Sequence, residues 1–489
     1  MRVPFDATAR SRAARLAPLL AGCIAIVLSG TAVGDDAAKS TLEKIPPFPP
    51  GYDWPANPAV LEKAIAMRDW ATLRTHGWWL WAGLNTESTD GAPLWRSWPT
   101  STQAFNTTSS GALGSAAGHK RALKETNASN TPINLPAPWY PVPTVSNGAC
   151  QTGTSTDLPD GTRFEANGDV MIADVVYNQD SYDWVRNTPL NEASVLTTQW
   201  KAGDKDIKAF PSTSFVLKHM YWPARGDGYT ALPVWHPEKY PPLPAKYIGY
   251  EYWKDTVAID PSGKDAAPGK TAEVSYLYHF FESDQKTPFP TQTRTAKIVP
   301  IRQFYHHRVD AAELAALDAN DRTILDASAC WLYNRPFQAG DYLVSVAMHI
   351  NTKEIPGWAL QSLWWSDEPD KGPYAANRPK IDPRKGLGPW RHYLMTLEYG
   401  IPASPGMLPV AFNPFIELAA AHPIQTNCRN CHTRAAWPRG GVVTPEPPVT
   451  ASYEAKGGPG ALVDLKPDNA IFQKLMRLDF QWAVSDRAH

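Results

Sequence analysis

Proline interrupts this chain so often that few long regular elements can run through it. It occupies 47 of 489 positions, about twice its usual share, and each one fixes φ and removes a backbone donor. The expectation is a loop-rich fold of short elements, without coiled coil or solenoid repeats. The length points to one large domain or two fused ones. A second departure from average composition is the 20 tryptophans. Such rings fill a core between irregular loops and short strands, line a cleft, or form a chain of oxidisable groups, and the sequence does not choose among these. A formal net charge of −1 with no basic run sets aside nucleic acid and anionic membrane as main partners.

The order of segments suggests an organisation. Residues 35–55, with Glu43-Lys44-Ile45-Pro46-Pro47-Phe48-Pro49-Pro50, read as an extended arm. Val60 to Leu73 lacks Pro and Gly and reads as a helix. Trp78-Trp79-Leu80-Trp81-Ala82-Gly83-Leu84-Asn85 is too apolar to be exposed, Thr100 to Asn130 is a loop by composition, and Leu135 to Pro141 is polyproline-like. From 165 to 360 the pattern is mainly β. Phe215 to Trp222, Tyr247 to Ile259, Glu273 to Phe281, Lys297 to His306 and Tyr342 to Ile350 are β-branched or aromatic runs bounded by Pro, Gly or Asp. With few helical crossovers between them, they suggest a sandwich- or barrel-like region. Asp310-Ala311-Ala312-Glu313 is a capping-box start, extended through Leu314 to Leu317. Ile471, Leu475, Leu478 and Trp482 have helical spacing and predict a last helix over Asn469 to Ala483.

Ahead of that last helix stands Cys428-Arg429-Asn430-Cys431-His432. Two thiols three positions apart can each form a thioether with a porphyrin vinyl group, and the adjoining His432 can then ligate iron through an imidazole nitrogen. This is the attachment pattern of a single covalent haem c. A thioredoxin-like dithiol and half of a zinc site are the competing readings. A dithiol enzyme would carry the motif at a helix start after a strand, whereas His422-Pro423-Ile424-Gln425-Thr426-Asn427 looks like a loop. A zinc site would need a second ligand pair at finger or ribbon spacing, and none is present.

The first residues agree with a group attached outside the cytoplasm. Arg2, Arg10, Arg12 and Arg15 precede the apolar run Leu16 to Gly30, and Ala32-Val33-Gly34 follows, as in a signal peptide over residues 1–34 with cleavage near Gly34. The run is too short and too rich in Ala and Gly for a membrane span, so no transmembrane span is expected in the mature chain. A periplasmic or secreted location follows. Leu20-Ala21-Gly22-Cys23 also matches a lipoprotein box, although Ile24 to Leu28 stay apolar where a lipoprotein turns polar. With Cys23 leaving and Cys428 and Cys431 holding haem, Cys150 and Cys330 are left as a disulfide candidate or as two buried thiols.

The domain expectation is a Trp/Pro-rich, mainly β domain over 35–400 and a small helical and loop haem-binding segment over 401–489 packed against it. No methionine or histidine lies between His432 and Met476, so the segment does not enclose a haem alone and the β-rich region must supply part of the pocket. Distal candidates are His349, His392, His422 and Met476, with Met407 by proximity only. Alternation puts His349 on the face of Leu343, Ser345 and Ala347. Met476, beside the apolar stripe of the last helix, is the stronger candidate for packing. His219 reads as core, and His306 and His307 point to opposite faces of one strand.

On Cys428, Cys431 and His432 the chain resembles the c-type cytochromes. On Trp81-Ala82-Gly83-Leu84-Asn85, Leu94-Trp95-Arg96-Ser97-Trp98, Val176-Tyr177-Asn178-Gln179, Phe210-Pro211 with Trp222, Met348-His349-Ile350 followed by Trp358, and Leu478-Asp479-Phe480, it resembles a group of large secreted bacterial proteins with one haem motif. That likeness spans residues ~75 to 489 with motifs of moderate specificity, and it implies export and organisation, not substrate. Three classes of function remain. An exported haem oxidoreductase would hold its iron's distal position open for oxidative or peroxide-linked chemistry on an unknown substrate. An electron-transfer protein would use the large domain to dock a redox partner. A structural or binding protein would use neither.

Overall fold

The computed structural model describes residues 48–87, 92–105, 143–151, 159, 172–236, 253, 255–276, 291–380, 388–416, 426–438 and 462–488. The expected signal peptide with Cys23, the polyproline-like passage and His422 lie outside these residues. Lys44–His489 form one compact unit, so the segment after residue 400 is part of the same body as the strands before it.

Helix α1 (Pro58–Met67) starts at Asn57, whose side chain accepts from Ala59 N at 3.0 Å, with Pro58 in the first turn. The continuous helix expected over Val60 to Leu73 is broken. Arg68 turns left-handed at φ 55°, and Asp69 starts α2 (Trp70–Leu84) by accepting from Thr72 N at 3.1 Å. Trp78, Leu80, Trp81 and Leu84 are buried along α2, so it is a core helix. Among the described residues five helices follow: α3 (Ser101–Ala104), α4 (Gln179–Asn187), α5 (Ala193–Ala202), α6 (Ala311–Ala316) with the Asp310/Glu313 capping box, and the longer α7 (Ala319–Tyr333). The motif forms α8 (Cys428–Thr433), and α9 spans Trp482–Arg487.

The strands are β1 (Thr144–Ser146), β2 (Ala149–Gln151), β3 (Ile172–Tyr177), β4 (Phe215–Ala224), β5 (Thr230–Val234), β6 (Asp255–Asp260), β7 (Thr271–Tyr276), β8 (Gln292–Pro300), β9 (His306–Arg308), β10 (Tyr342–Thr352), β11 (Ala359–Trp365), β12 (Tyr393–Glu398), β13 (Ala436–Trp437) and β14 (Met476–Arg477). The central sheet runs β12-β11-β10-β4-β3, with β9 paired to the start of β10, and is antiparallel throughout. A second sheet runs β5-β6-β8-β7, with β6 and β8 parallel. The molecule is therefore β-rich with helices and several sheets, and among the described residues no sheet closes into a barrel. Cys150 on β2 is disulfide-bonded to Cys330 on α7, Cα atoms 5.8 Å apart.

Near the ends of β4 and β11 the central sheet separates two apolar clusters. Val176, Phe215, Leu217 and Leu363 enter the larger one with α2. Val175, Tyr177, Val216 and Leu360 enter a smaller one with Cys428, Trp437 and Met476. The alternation expected along β10 fails at a bulge, since the register with β4 slips between Ser345 and Ala347. Ser345 pairs with Tyr221 and Ala347 with Met220, so His349 shares a face with Ala347 but not with Ser345 or Leu343. The helix expected over Asn469 to Ala483 is also corrected. Its residues form a 3₁₀ turn (Ala470–Phe472), β14 and a left-handed pair at Asp479 (φ 47°) and Phe480 (φ 69°) before α9. The apolar spacing arises instead because Leu475, Met476 and Leu478 each find separate burial.

Candidate functional site

Asn427 sets the position of the motif. Its Oδ1 accepts from Asn430 N at 3.0 Å, capping α8. Its Nδ2 donates to Pro409 O at 2.8 Å and to Glu398 Oε2 at the end of β12. Glu398 is fully buried, and burial pushes its pKa up to about 7 against the opposing bonds from Asn427 and Gly400. Arg429 extends the tether on the other side. It donates to Gly357 O at 3.1 Å, and a Cβ on Gly357 would stand 2.2 Å from the guanidinium.

On α8 the three-residue spacing puts both thiols on one side of the helix. Cys428 is buried and its Sγ donates to Ala411 O at 3.2 Å; Cys431 is half-buried. The motif does open a helix, a feature that haem attachment and dithiol chemistry share, and Asn427 directly ahead of it makes a parallel β-bridge with Ala411.

His432 Nδ1 donates to Phe480 O at 2.8 Å. A carbonyl only accepts, so the proton sits on Nδ1 and Nε2 carries the lone pair, the tautomer of a metal-ligating imidazole held by an outer partner. Burial pushes the His432 pKa down to about 4; the Phe480 bond opposes this, while the nearby charges of His349 and Lys218 add to it. The ring is neutral at pH 7, as a ligand must be.

The Phe480 carbonyl reaches His432 because Asp479 and Phe480 are both left-handed, a conformation that non-glycine residues seldom adopt. A buried ion pair holds this turn. Lys353, just beyond β10, places Nζ 2.5 Å from Asp479 Oδ1 and 2.7 Å from Pro356 O, while Asp479 Oδ2 accepts from Phe210 N at 2.8 Å. Desolvation raises the Asp479 pKa and lowers that of Lys353. Trp482 Nε1 donates to Cys431 O at 3.2 Å from the same turn.

Across from the motif is the sheet. His349 pairs directly with Lys218 on β4 and Ser362 on β11, and residues directly opposite in an antiparallel ladder share a face. It is the face that carries Val175, Val216 and Leu360 into the smaller cluster. His349 and Lys218 are half-buried; Ser362 is fully buried and its Oγ has no hydrogen-bond partner among the described residues.

Of the distal candidates among the described residues, His349 is the one whose charge bears on His432. His392 ends a 3₁₀ turn at the far end of β12, about 13 Å along the strand from Thr396, and its pKa is pushed down to about 4 by burial and Arg391. Met476 is fully buried on β14 opposite Trp437, as packing. Met407 bridges to Val463. His219 is core between Trp95 and Tyr221, with ring centroids at 4.4 and 4.5 Å. His306 and His307 pair with the start of β10, away from His349.

Sequence reasoning missed Lys218, Ser362 and the Phe480 carbonyl. A lysine inside the apolar run Phe215 to Trp222 was a readable signal, because lysine is rarely buried without a reason; a backbone carbonyl leaves none. It also missed two bracketed histidines. His76 lies between Asp53 (3.2 Å) and Glu354 (3.0 Å). His236 lies between Asp255 (3.0 Å) and Asp367 (2.9 Å).

No protein-family model, curated protein or solved structure matches this chain.

Proposed function

We propose that this chain is an exported c-type haem protein with redox function, its haem attached through Cys428 and Cys431 with His432 as axial ligand. The bond from His432 Nδ1 to Phe480 O carries the reading, because it orients a neutral imidazole and leaves Nε2 for iron. The residues fit such a group: two thiols on one side of α8, a fixed tautomer, and His349 on the sheet facing the motif. A haem held there would supply one-electron chemistry and, with peroxide, oxidation of a substrate. The chain's own residues anchor, orient and partly shield it. Glu398 and Asn427 position the thiols, Asp479 and Lys353 position the proximal carbonyl, and the smaller apolar cluster excludes water.

The favoured reading is oxidative or peroxide-linked chemistry on an unknown substrate. His349 favours a second one, electron transfer with both axial positions taken by histidine. Absorption spectra of the oxidised and reduced protein, with and without carbon monoxide or cyanide, separate them. A spectrum altered by added ligand supports the open position, and a low-spin spectrum indifferent to both supports electron transfer. Cys428→Ala with Cys431→Ala abolishes covalent haem on this reading. Haem retained by that variant, or absent from the wild type, overturns it.

A further inference from the structure

Glu398 ends β12 fully buried, directly opposite Leu360 of β11, and Leu360 enters the smaller apolar cluster with Cys428. Residues so paired share a face, so this carboxyl lies on the side of the sheet that meets the motif. Its two oxygens accept from Asn427 Nδ2 and Gly400 N, both uncharged donors. Asn427 is the residue before Cys428, so one side chain and one peptide bond separate the carboxyl from the first thiol-bearing residue. The charges that face Glu398 from α8 and the segment after it are Arg429 and Asp464, which oppose each other. These two stand 3.6 Å apart, with Lys466 on the other Asp464 oxygen. Met407 to Ala411 carries no charge. Along the sheet, the row of Glu398 continues through Leu360 to Asn351. The next row holds Thr396, Ser362, His349 and Lys218, of which only the last two can be charged. A carboxyl buried against neutral donors resists ionisation, and its pKa of about 7 leaves it poised to titrate near neutral pH.

Building on the haem reading above, we propose that Glu398 is a redox-linked proton site, taking up one proton when the haem gains one electron and releasing it when that electron leaves. The electron comes from an external one-electron donor and the proton from water; the carboxylate becomes a carboxylic acid, and the net charge of the buried unit is unchanged. An added electron makes the surroundings of Glu398 more negative, so its proton affinity is higher in the reduced protein. By reciprocity, a proton on Glu398 raises the electron affinity of the haem by the same factor. The midpoint potential therefore falls as pH rises between the two pKa values of Glu398, oxidised and reduced, and is flat on either side. The low dielectric around a fully buried group strengthens this coupling.

The test uses the full-length protein carrying its covalent haem, titrated with dithionite and ferricyanide at intervals from about pH 5 to about pH 9 and followed by absorption. A change in proton affinity of about tenfold is expected between the two redox states, which converts to a fall in midpoint potential of about 59 mV. Glu398→Gln, which holds the neutral form and still offers Asn427 an acceptor, should remove most of that fall. Asp464→Asn, which removes the other facing carboxylate, should keep it. Infrared difference spectra of the reduced minus the oxidised protein read the proton itself. Wild type should gain a carboxylic C=O band that shifts in heavy water; Glu398→Gln should lack it, and Glu398→Asp, which keeps an acid, should move it. The inference is overturned if the wild-type potential is independent of pH, if Glu398→Gln keeps the fall, if Asp464→Asn abolishes it, or if the band is absent from wild type. Should Glu398→Gln not hold haem, a band unmoved in Glu398→Asp overturns it. Failure of the underlying haem reading shows separately, as a purified chain without covalent haem before any titration.

Discussion

Asp479→Asn removes one charge from the pair that holds the turn below His432, and the structure sets both the size and the pH dependence of the loss. Lys353 and Asp479 are 7% and 11% exposed and 2.5 Å apart. Removing one partner of a buried pair costs about 3–5 kcal/mol, because the other charge stays buried. Asparagine can still accept from Phe210 N, but its amide nitrogen presents a donor to Lys353. The lysine keeps Pro356 O at 2.7 Å and the Trp358 ring at 5.4 Å, so about 3 kcal/mol is expected at pH 7. Deprotonation of Lys353 caps the loss. From an unfolded value of 10.5, the cap is about 5 kcal/mol at pH 7 and about 2 kcal/mol at pH 9. A lowered lysine pKa means that the unfolded chain binds more protons, so the variant gains stability relative to wild type as pH rises. Urea unfolding of both proteins at the two pH values measures the difference. A loss below about 1 kcal/mol at pH 7, or one still near 3 kcal/mol at pH 9, refutes the reasoning.

His76 is buried, which by itself lowers its pKa, but its bonds to Asp53 and Glu354 raise it from 6.5 to about 9. A raised histidine stabilises fully below the unfolded value and loses that contribution as pH climbs through the folded one. The gap between wild type and His76→Gln in thermal or urea unfolding should therefore shrink by roughly 3 kcal/mol between pH 6.5 and pH 9. Glu398 titrates lower, its pKa raised by burial from 4.5 to about 7. The native state then binds the extra proton, so wild type should lose roughly 3 kcal/mol relative to Glu398→Gln as pH rises from 4.5 to 7, measured the same way.

Strands with β-branched runs and clear ends were legible in the sequence: Phe215–Ala224 and Tyr342–Thr352 extend the expected runs by only two residues each. β11 was not, because all seven residues of Ala359–Trp365 are buried and burial on both faces erases the alternation that marks a strand. α7 escaped notice for a related reason. Asn320, Asp321, Asp326 and Ser328 are buried among apolar neighbours, so it shows no polar stripe. The apolar spacing from Ile471 to Trp482 misled in the opposite sense, since no rule of periodicity reveals two left-handed residues between its members. Within the candidate site, Cys428, Cys431 and His432 stand out in the sequence by their spacing, and their role is the proposal made above. The proximal carbonyl does not, because its position depends on backbone torsions and on an ion pair 126 residues apart in sequence.

The division of apolar residues between two clusters across the central sheet bears on how a bulky planar group could be admitted at all. Cooperative units of a protein open with different free energies. The cluster beneath Cys428 joins two two-residue strands and two six-residue helices to residues of α4, α5, β3, β4 and β11, whereas the one behind it rests on α2 and the long strands. The lesser unit can loosen while the greater keeps the sheet in register. On the haem reading proposed above, the sheet would serve as a standing mould, its His349 side already shaped while the side that bears Cys428 and Cys431 closes.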